Sequence, residues 1–514
     1  MEPGDHTTLS IEADDVFATQ RCANWLAGIC QQGDTIFLTG ELGAGKTTLA
    51  RAFIQALTTV DTNVPSPSFT LVQPYDTAKG PLFHADLYRI ANAEEVFELG
   101  LSDAEAERIT LIEWAERAEQ LLGEPDFHIR IVHRGTDDRR RIDIAARTPA
   151  RLQELADMLR REKSLLAFLA DAGWMGETIT RMQIAGDAST RRYERLDRAG
   201  NTAVLMDWCA GPDGPAIFDG KSYSQLAHLA EAVPTYCRVS RHLAGLGIGV
   251  PEILSADEPR GFVLLEDLGT QTLDIVSAED ASDEEDDLSP FYLEAVETLV
   301  HLHGHAAPDF LHNYDGGVMA VETSLFLDWY LPHQNIEVSA AARAQWMDIW
   351  QSIADIFTGT SPVCVLRDFH SVNLLWRPHK QGRHRVGVID VQDALAGPAA
   401  YDLVSLLQDA RIDVADALST RFIGHYIARR FGDDAPAGEN FRMQYAVLGL
   451  QRNLKIAGIF IRLAARDNKW KYLAHLPRII TYIEKNLRHE AAAPVRQWLT
   501  THAPDWAAPK QGAD

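Results

Sequence analysis

At 514 residues the chain exceeds what one hydrophobic core ordinarily supports, so two to four domains are expected. Its formal net charge of −25 is shared, since residues 1–150 hold 13 Lys/Arg against 24 Asp/Glu, a net −11 that leaves −14 for the remainder. Neither part offers the clustered positive surface of a stand-alone nucleic-acid binder, although a local basic patch is compatible with these totals. Cys22, Cys30, Cys209, Cys237 and Cys364 lack C-x-x-C or metal-type spacing, as expected of reduced thiols. With no basic-then-apolar leader and no apolar run of 18 residues, the reading is a soluble, cytoplasmic protein without membrane association.

The first 145 residues alternate strand and helix patterns. "DTIFLTG" reads as a strand, "KTTLARAFIQAL" as a helix, "FTLVQPY", "LFHADLY" and "ITLIEWA" as strands, and "FHIRIVHRG" with "RRIDIAA" as a closing hairpin. This predicts an α/β sheet with helices packed on it. Near Arg147 the pattern turns helical, with Leu152, Leu155, Leu159, Leu165, Leu166, Phe168 and Leu169 at helical spacing. The predicted organisation is a domain at 1–146, a helical linker at 147–163, a β-rich lobe at 164–268, a helical lobe at 269–500 and a tail at 501–514.

Gly40, Gly45, Lys46 and Thr47 complete G-x-x-x-x-G-K-[ST] between a predicted strand and a predicted helix, which identifies a P-loop. The glycines, Gly43 included, let backbone N–H groups turn toward phosphate oxygens. Lys46 supplies a charge to the β- and γ-phosphates of ATP, while Thr47 offers a hydroxyl to Mg²⁺ and Thr48 is expected with it among the nucleotide-binding residues. A carboxylate must complete the Mg²⁺ shell, and Asp86 and Glu113 both end predicted strands. A helix cap or a surface charge is the competing reading of either.

"TGELGAGKTTLARAF", "VPSPSFTLVQPY", "FHADLYRI" and "ITLIEWAE", in this order within about 110 residues, resemble the TsaE family, the P-loop ATPase of bacterial tRNA threonylcarbamoyladenosine synthesis. The resemblance covers nearly all of residues 1–145. It implies ATP hydrolysis in partnership with the TsaB–TsaD threonylcarbamoyl-transferase complex, in t6A formation at adenosine 37 of tRNA, with no stable grip on nucleic acid by this chain alone. It further implies that Ser66, Pro67, Ser68 and Phe69 form a γ-phosphate-sensing segment, that Thr47 and Glu113 lie on the metal side with Lys46 and Glu113 catalytic, and that Trp114 lies against the nucleotide. Ser68 stands where the family usually has threonine, which keeps the hydroxyl.

Beyond Ile179 the chain returns to strands, "TITRMQIAGDASTRRYERL" and "TAVLMDW", and after Glu266 becomes mostly helical. Between these stages "SAEDASDEEDDLSP" puts seven carboxylates into nine residues from Glu279 to Asp287, which reads as a solvated loop. "VCVLRDFHSVNLLW" sets Asp368 five residues before Asn373, the spacing by which one rigid loop supplies an acceptor for a hydroxyl proton and an amide for Mg²⁺. Seventeen residues after Asn373, Asp390 ends the strand "RVGVID", where a second metal-ligating carboxylate belongs. Upstream, Ser189, Thr190 and Arg191 follow a small-residue turn able to cover phosphates, and Glu266 and Leu268 lie in an adenine-binding hinge, "FVLLEDLG".

These segments resemble the aminoglycoside phosphotransferase/choline kinase family over roughly residues 165–500. "TRRYERL", "VLMDW", "LFLDWYLP" and "QRNLKIAGIFIRLAARDNKWKYLAHLPR" are similar to the AmgK group of anomeric kinases for N-acetylmuramate and N-acetylglucosamine. Two positions depart from the wider family: Leu366 replaces the usual histidine two residues before Asp368, and Met206 replaces the ATP-pairing lysine, for which Arg191 or Arg192 could substitute. An aminoglycoside- or choline-type substrate, or a decayed regulatory module, are the alternatives. For the sugar, Asp328, Trp329 and Tyr330 offer an acid and aromatic surfaces, with helix packing as the competing reading. Arg452, Lys455 and Arg462, with Phe460 nearby, form a positive stripe able to meet a lactyl carboxylate, against a solvated or salt-bridged face. Asp402 is expected to hydrogen-bond the catalytic loop rather than to catalyse.

Overall fold

The computed structural model describes residues 8–58, 62–101, 107–134, 139–176, 179–184, 191–209, 216–218, 220–229, 232–279 and 289–508. The chain divides into two units, Met1–Asp171 and Ala172–Asp514. In the first, β1 (Leu9–Ala13), α1 (Val16–Ile29), β2 (Thr35–Thr39), α2 (Lys46–Leu57), β3 (Val72–Thr77), β4 (Gly80–Asp86), α3 (Glu95–Glu98), β5 (Ile109–Glu113), α4 (Glu119–Leu122), β6 (Phe127–His133), β7 (Arg140–Ala146) and α5 (Pro149–Asp171) follow in order. They form a seven-stranded sheet ordered β1-β7-β6-β2-β5-β4-β3.

Strand β2 runs parallel to β5 and β6 on its two sides, and β4 runs parallel to β5. All five residues of β5, "ITLIE", are buried, as for a central strand covered on both faces. One face packs Ile36, Leu38 and Leu111 against Leu26, Leu49 and Phe53 of α1 and α2; the other packs Phe37, Ile112 and Leu87. Strand β1 and helix α1 precede the first strand read from the sequence; Asp15 starts α1 by accepting the Ala18 N–H at 2.6 Å. The stretch predicted as a helical linker, 147–163, is helical from Pro149 onward, in the 23-residue α5, whose Leu155 and Leu159 join the first core and whose Arg151 donates to Asp34 at 2.7 and 2.9 Å.

The second unit opens with β8 (Ile179–Ile184), β9 (Arg192–Arg198), β10 (Asn201–Asp207), β11 (Ala216–Phe218), β12 (Lys221–Ser222), α6 (Tyr223–Leu226), α7 (Val233–Gly245), β13 (Ile253–Asp257) and β14 (Phe262–Glu266). Its antiparallel sheet is ordered β13-β14-β10-β9-β8, with Met206 of β10 opposite Tyr193 and Val263. The helical lobe comprises α8 (Leu273–Glu279), α9 (Ser289–Leu302), α10 (Gly316–Leu325), α11 (Leu331–His333), α12 (Ala340–Ile353), β15 (Val363–Val365), β16 (Leu374–Trp376), β17 (Val386–Val388), β18 (Leu395–Gly397), α13 (Ala400–Leu407), α14 (Asp416–Phe431), α15 (Ala435–Asp467), α16 (Leu476–Leu487) and α17 (Ala493–His502).

Helix α15, 33 residues long, runs through this lobe and crosses the end of α10. Gly458 permits the crossing, because a Cβ there would stand 2.3 Å from the Leu325 carbonyl oxygen. The predicted tail at 501–514 is partly core: Ala503 and Trp506 are buried, and the Trp506 carbonyl accepts the Tyr330 hydroxyl at 3.0 Å. No helix among the described residues is long and apolar enough to cross a membrane.

Candidate functional sites

The first site lies beyond the carboxyl ends of β2, β4 and β5, where parallel α/β sheets open for ligands. Gly40, Gly43 and Gly45 hold φ of 138°, 81° and 106°, values that side chains rarely tolerate. A Cβ on Gly40 would also stand 2.3 Å from the Ile131 carbonyl oxygen, so the loop can bend only on glycine. Lys46, 4% exposed, starts α2 and donates to the carbonyls of Gly40 and Glu41 at 2.7 and 2.9 Å. Its ammonium stands 3.6 Å from the centroid of the Trp114 ring, a cation–π contact. Burial lowers its pKa, opposed by the carboxylates of Glu113, Glu116 and Asp86.

Register pairs Glu113 of β5 with Leu38 of β2 and with Asp86 of β4, so both acids reach the P-loop edge of the sheet. The Thr47 hydroxyl donates to Glu113 Oε2 at 2.8 Å, and His84 Nε2 lies 2.9 Å from Glu113 Oε1. Asp86 accepts the Ser66 hydroxyl at 2.9 Å and the Tyr88 N–H at 3.0 Å, tying "SPSF" to the strand end. Trp114 follows with φ of 58°, a strained value for a bulky residue, and its ring packs 4.9 Å from Tyr88. Arg140 Nε and His133 Nε2 brace the loop at the Ala44 and Gly43 carbonyls, 2.9 and 3.0 Å away. Glycine-bound backbone, one ammonium, one hydroxyl and two buried carboxylates form a donor set that fits a nucleotide polyphosphate with a hard divalent cation.

The second site occupies the loop between β15 and β16 and the end of β17. Arg367 precedes Asp368 with φ of 68°, and Asp390 follows β17 with φ of 60°. The Asn373 side-chain amide donates to the Asp368 carbonyl at 3.0 Å, and the Ile389 N–H donates to the Asn373 carbonyl at 3.0 Å. These bonds join Asp368, Asn373 and Asp390 in one frame. Beneath it, Asp402 accepts the N–H groups of Leu366 and Arg367 at 2.8 and 2.9 Å, the structural role expected of it. The Asp368 carboxylate remains 37% exposed. Burial opposes its ionisation, but His370, Lys455, Arg452 and Arg367 prevail and hold its pKa below the ordinary value. The amide oxygen of Asn373 and the Asp390 carboxylate are hard oxygen donors, a set that fits Mg²⁺.

Residues 13–142 match the threonylcarbamoyl adenosine biosynthesis protein TsaE family, and residues 180–439 match the phosphotransferase enzyme family. An N-acetylmuramate/N-acetylglucosamine kinase of Caulobacter vibrioides is 33% identical over 363 residues, spanning 67% of this chain and 97% of that protein. A tRNA threonylcarbamoyladenosine biosynthesis protein TsaE of Haemophilus influenzae is 41% identical over 114 residues, spanning 22% of this chain and 70% of that protein. The solved structure of Bacillus subtilus YdiB is 31% identical, with a TM-score of 0.24, covering 30% of this chain and 97% of its own.

The chain belongs to both families. It is a fusion of an α/β P-loop TsaE domain with a two-lobed, kinase-like phosphotransferase domain, and it is an enzyme. Within the kinase domain, Met206 is fully buried among apolar neighbours of the β-sheet. A cation does reach Asp390: Arg191 Nη1 donates to Asp390 Oδ1 at 2.7 Å, and its guanidinium lies 5.0 Å from the Trp208 ring. Arg192 is exposed on β9, so of the two arginines only Arg191 takes that position. Ser189, Thr190 and most of the acidic stretch lie outside the described residues. The hinge is pinned by its side chains: Glu266 accepts Arg377 Nη2 at 2.8 Å, Asp267 accepts Arg195 Nε at 2.7 Å, and Leu268 packs toward Gly387.

Four residues read as sugar contacts make contacts within the domain instead. Tyr330 is 2% exposed, stacked on Phe326 and bound to Trp506, so helix packing wins and it offers no surface to a pyranose. Asp328 is exposed and ion-pairs with Arg343, and Trp329 packs partly against the core. Lys455 is not a surface charge: its ammonium reaches Glu322 Oε1 at 3.1 Å and the Tyr401 hydroxyl at 2.8 Å. Fully buried Glu322 also binds Arg367 Nη2, the Tyr314 hydroxyl at 2.7 Å and Gln451 Nε2 at 2.8 Å. Burial resists ionisation there, yet Lys455 and Arg367 bring the Glu322 pKa down to about 2.

Sequence reasoning missed His84 and Glu322. His84 had a signal, since it sits two residues before Asp86 and strands repeat sides every second residue. Glu322 had none, because it lies 45 residues from Arg367 and 133 from Lys455 on an apolar helix.

Proposed function

We propose that the TsaE domain hydrolyses ATP in t6A37 synthesis, acting on a TsaB–TsaD complex in the cytoplasm. We propose further that the kinase domain transfers the γ-phosphoryl of ATP to the anomeric hydroxyl of N-acetylmuramate or N-acetylglucosamine. In the TsaE domain, the P-loop amides and Lys46 hold the phosphates, while Thr47, Glu113 and Asp86 hold Mg²⁺. In the kinase domain, Asn373 and Asp390 hold Mg²⁺, Arg191 adds the charge absent at Met206, and the hinge of Glu266 and Leu268 receives adenine. Bound Mg²⁺ neutralises charge on the transferring phosphoryl.

Asp368 takes the proton of the attacking hydroxyl. An anomeric hydroxyl suits this base because it is more acidic than an ordinary alcohol, and the lowered Asp368 pKa keeps the carboxylate ionised at neutral pH. The observation that carries the kinase reading is the bonding of Asn373 both to Asp368 and to Ile389, the residue before Asp390. The cations Arg367, Arg452 and Lys455 around Asp368 further disfavour a polycationic aminoglycoside.

The test is a substrate panel. The full chain with ATP and Mg²⁺ is offered N-acetylmuramate, N-acetylglucosamine, choline and an aminoglycoside, and products are read by phosphorus NMR. Amino-sugar 1-phosphate is expected; phosphorylation of choline or the aminoglycoside alone, or of nothing, refutes the kinase reading. ATP turnover by the chain, measured with and without TsaB–TsaD, tests the other domain, and a rate unmoved by the complex refutes the partnership.

A further inference from the structure

The buried face of α15 presents Arg452 and Lys455 one turn apart on the same side as the catalytic loop. Lys455 and Arg367 spend their charges on Glu322. Arg452 is different. It is 4% exposed, and its Nε and Nη1 are shielded from solvent with no hydrogen-bond partner among the described residues. An arginine keeps its charge when buried, so two unmatched N–H-bearing nitrogens are costly unless a ligand supplies acceptors.

The surroundings repeat the pattern. His370 Nδ1, two residues beyond Asp368, is also buried without a partner among the described residues. The charge of Arg452 acts on both Asp368 and His370, so it lies within electrostatic reach of the base. His370 is held neutral, mainly by burial and by Arg411. Glu322 matches Arg367 and Lys455, and Asp393, Asp409 and Arg411 add further charges nearby, so what sets Arg452 apart is its unpartnered Nε and Nη1.

We propose that Arg452 is the specificity-determining residue that binds a carboxylate carried by the sugar, so that the site favours the acid-bearing N-acetylmuramate over neutral N-acetylglucosamine. This rests on the sugar-kinase reading of the same site. The planar guanidinium suits a carboxylate, whose oxygens accept paired N–H donors, whereas a neutral sugar leaves the arginine unmatched. The lactyl substituent supplies such a group on the same ring whose anomeric hydroxyl meets Asp368.

The experiment compares wild type with Arg452→Gln and Arg452→Lys on N-acetylmuramate, its lactyl methyl ester and N-acetylglucosamine. The readout is the ratio of kcat/KM values, which does not change if a variant is partly unfolded. In Arg452→Gln the ratio of N-acetylmuramate to N-acetylglucosamine should fall by about 10- to 100-fold, as when a charged hydrogen-bond partner is removed. The preference for the free acid over its ester should fall with it, and Arg452→Lys should recover part of both. An unchanged ratio overturns the proposal, including the case in which all three substrates decline together because Arg452 serves the transferred phosphoryl group. If wild type phosphorylates none of these sugars, the sugar-kinase reading itself has failed, and that outcome is visible before any variant is compared.

Discussion

The TsaE site and the kinase site both handle phosphate, but they are assembled in opposite ways. The P-loop is contiguous: three glycines with positive φ bend eight residues so that Lys46 folds back on the carbonyls of Gly40 and Glu41. Its function is written in backbone geometry, which a short motif can encode. The kinase site gathers Arg191, Glu322, Asp368, Asp390 and Arg452 from distant segments, and apart from Arg452 its charges meet partners that only the folded chain brings together. A local motif therefore tolerates change elsewhere, whereas a dispersed site depends on every member of its charge array.

The largest test of that contrast is reciprocal inactivation. Lys46→Ala should abolish ATP hydrolysis by the TsaE domain and leave sugar phosphorylation at the wild-type rate, whereas Asp368→Ala should lower kcat for the sugar by about 10²–10⁴-fold and spare ATP hydrolysis by the first domain. Phosphate release and sugar-phosphate formation, measured on the same preparations, check both; loss of both activities in either variant would break the comparison.

Next in size is the charge array. Glu322→Gln leaves Arg367 and Lys455 buried without a counter-charge, so denaturant unfolding of the kinase domain should show a loss of about 3–5 kcal/mol. Asp328→Asn, at the exposed pair with Arg343, should change stability by less than about 1 kcal/mol. Equal effects would mean that burial does not distinguish the two pairs.

The migrated cation comes third. Arg191→Met should lower kcat/KM for ATP by about 10- to 100-fold through loss of one charge-assisted contact, while Arg192→Met stays near wild type. A larger effect at Arg192 would return the phosphate-binding role to the other arginine.

The smallest effect is a pH dependence confined to the kinase domain. Burial and Arg411 bring the His370 pKa from 6.5 down to about 4. The folded domain thus binds this proton less readily than the unfolded chain, so the associated stability is complete above pH 6.5 and is lost as pH falls from 6.5 toward 4. His370→Gln should flatten that part of the stability profile, and an unaltered slope would assign the acid sensitivity elsewhere.

Much of the first domain was legible because its strands are short apolar runs bounded by turns, and its helix α2 begins at the predicted Lys46. Strand β1 and helix α1 were not assigned, and the helix expected after Arg147 was legible as a helix but not as part of the first core, because Leu155 and Leu159 look alike in a spacer and in a core helix. In the kinase domain the order Asp368, Asn373, Asp390 was legible from spacing. The assignments of Tyr330 and Lys455 were not, because a helical stripe reads the same whether it faces a sugar, solvent or a buried acid.

The sequence alone determined the chemistry that backbone and short spacing encode: a glycine loop before a lysine, and an aspartate five residues before an asparagine. Tertiary structure decided that Arg191 pairs with Asp390, that Lys455 serves Glu322, and that Arg452 keeps unmatched donors. The physical reason is burial. A charge removed from water must find its partner across the fold, and no local pattern records where that partner lies.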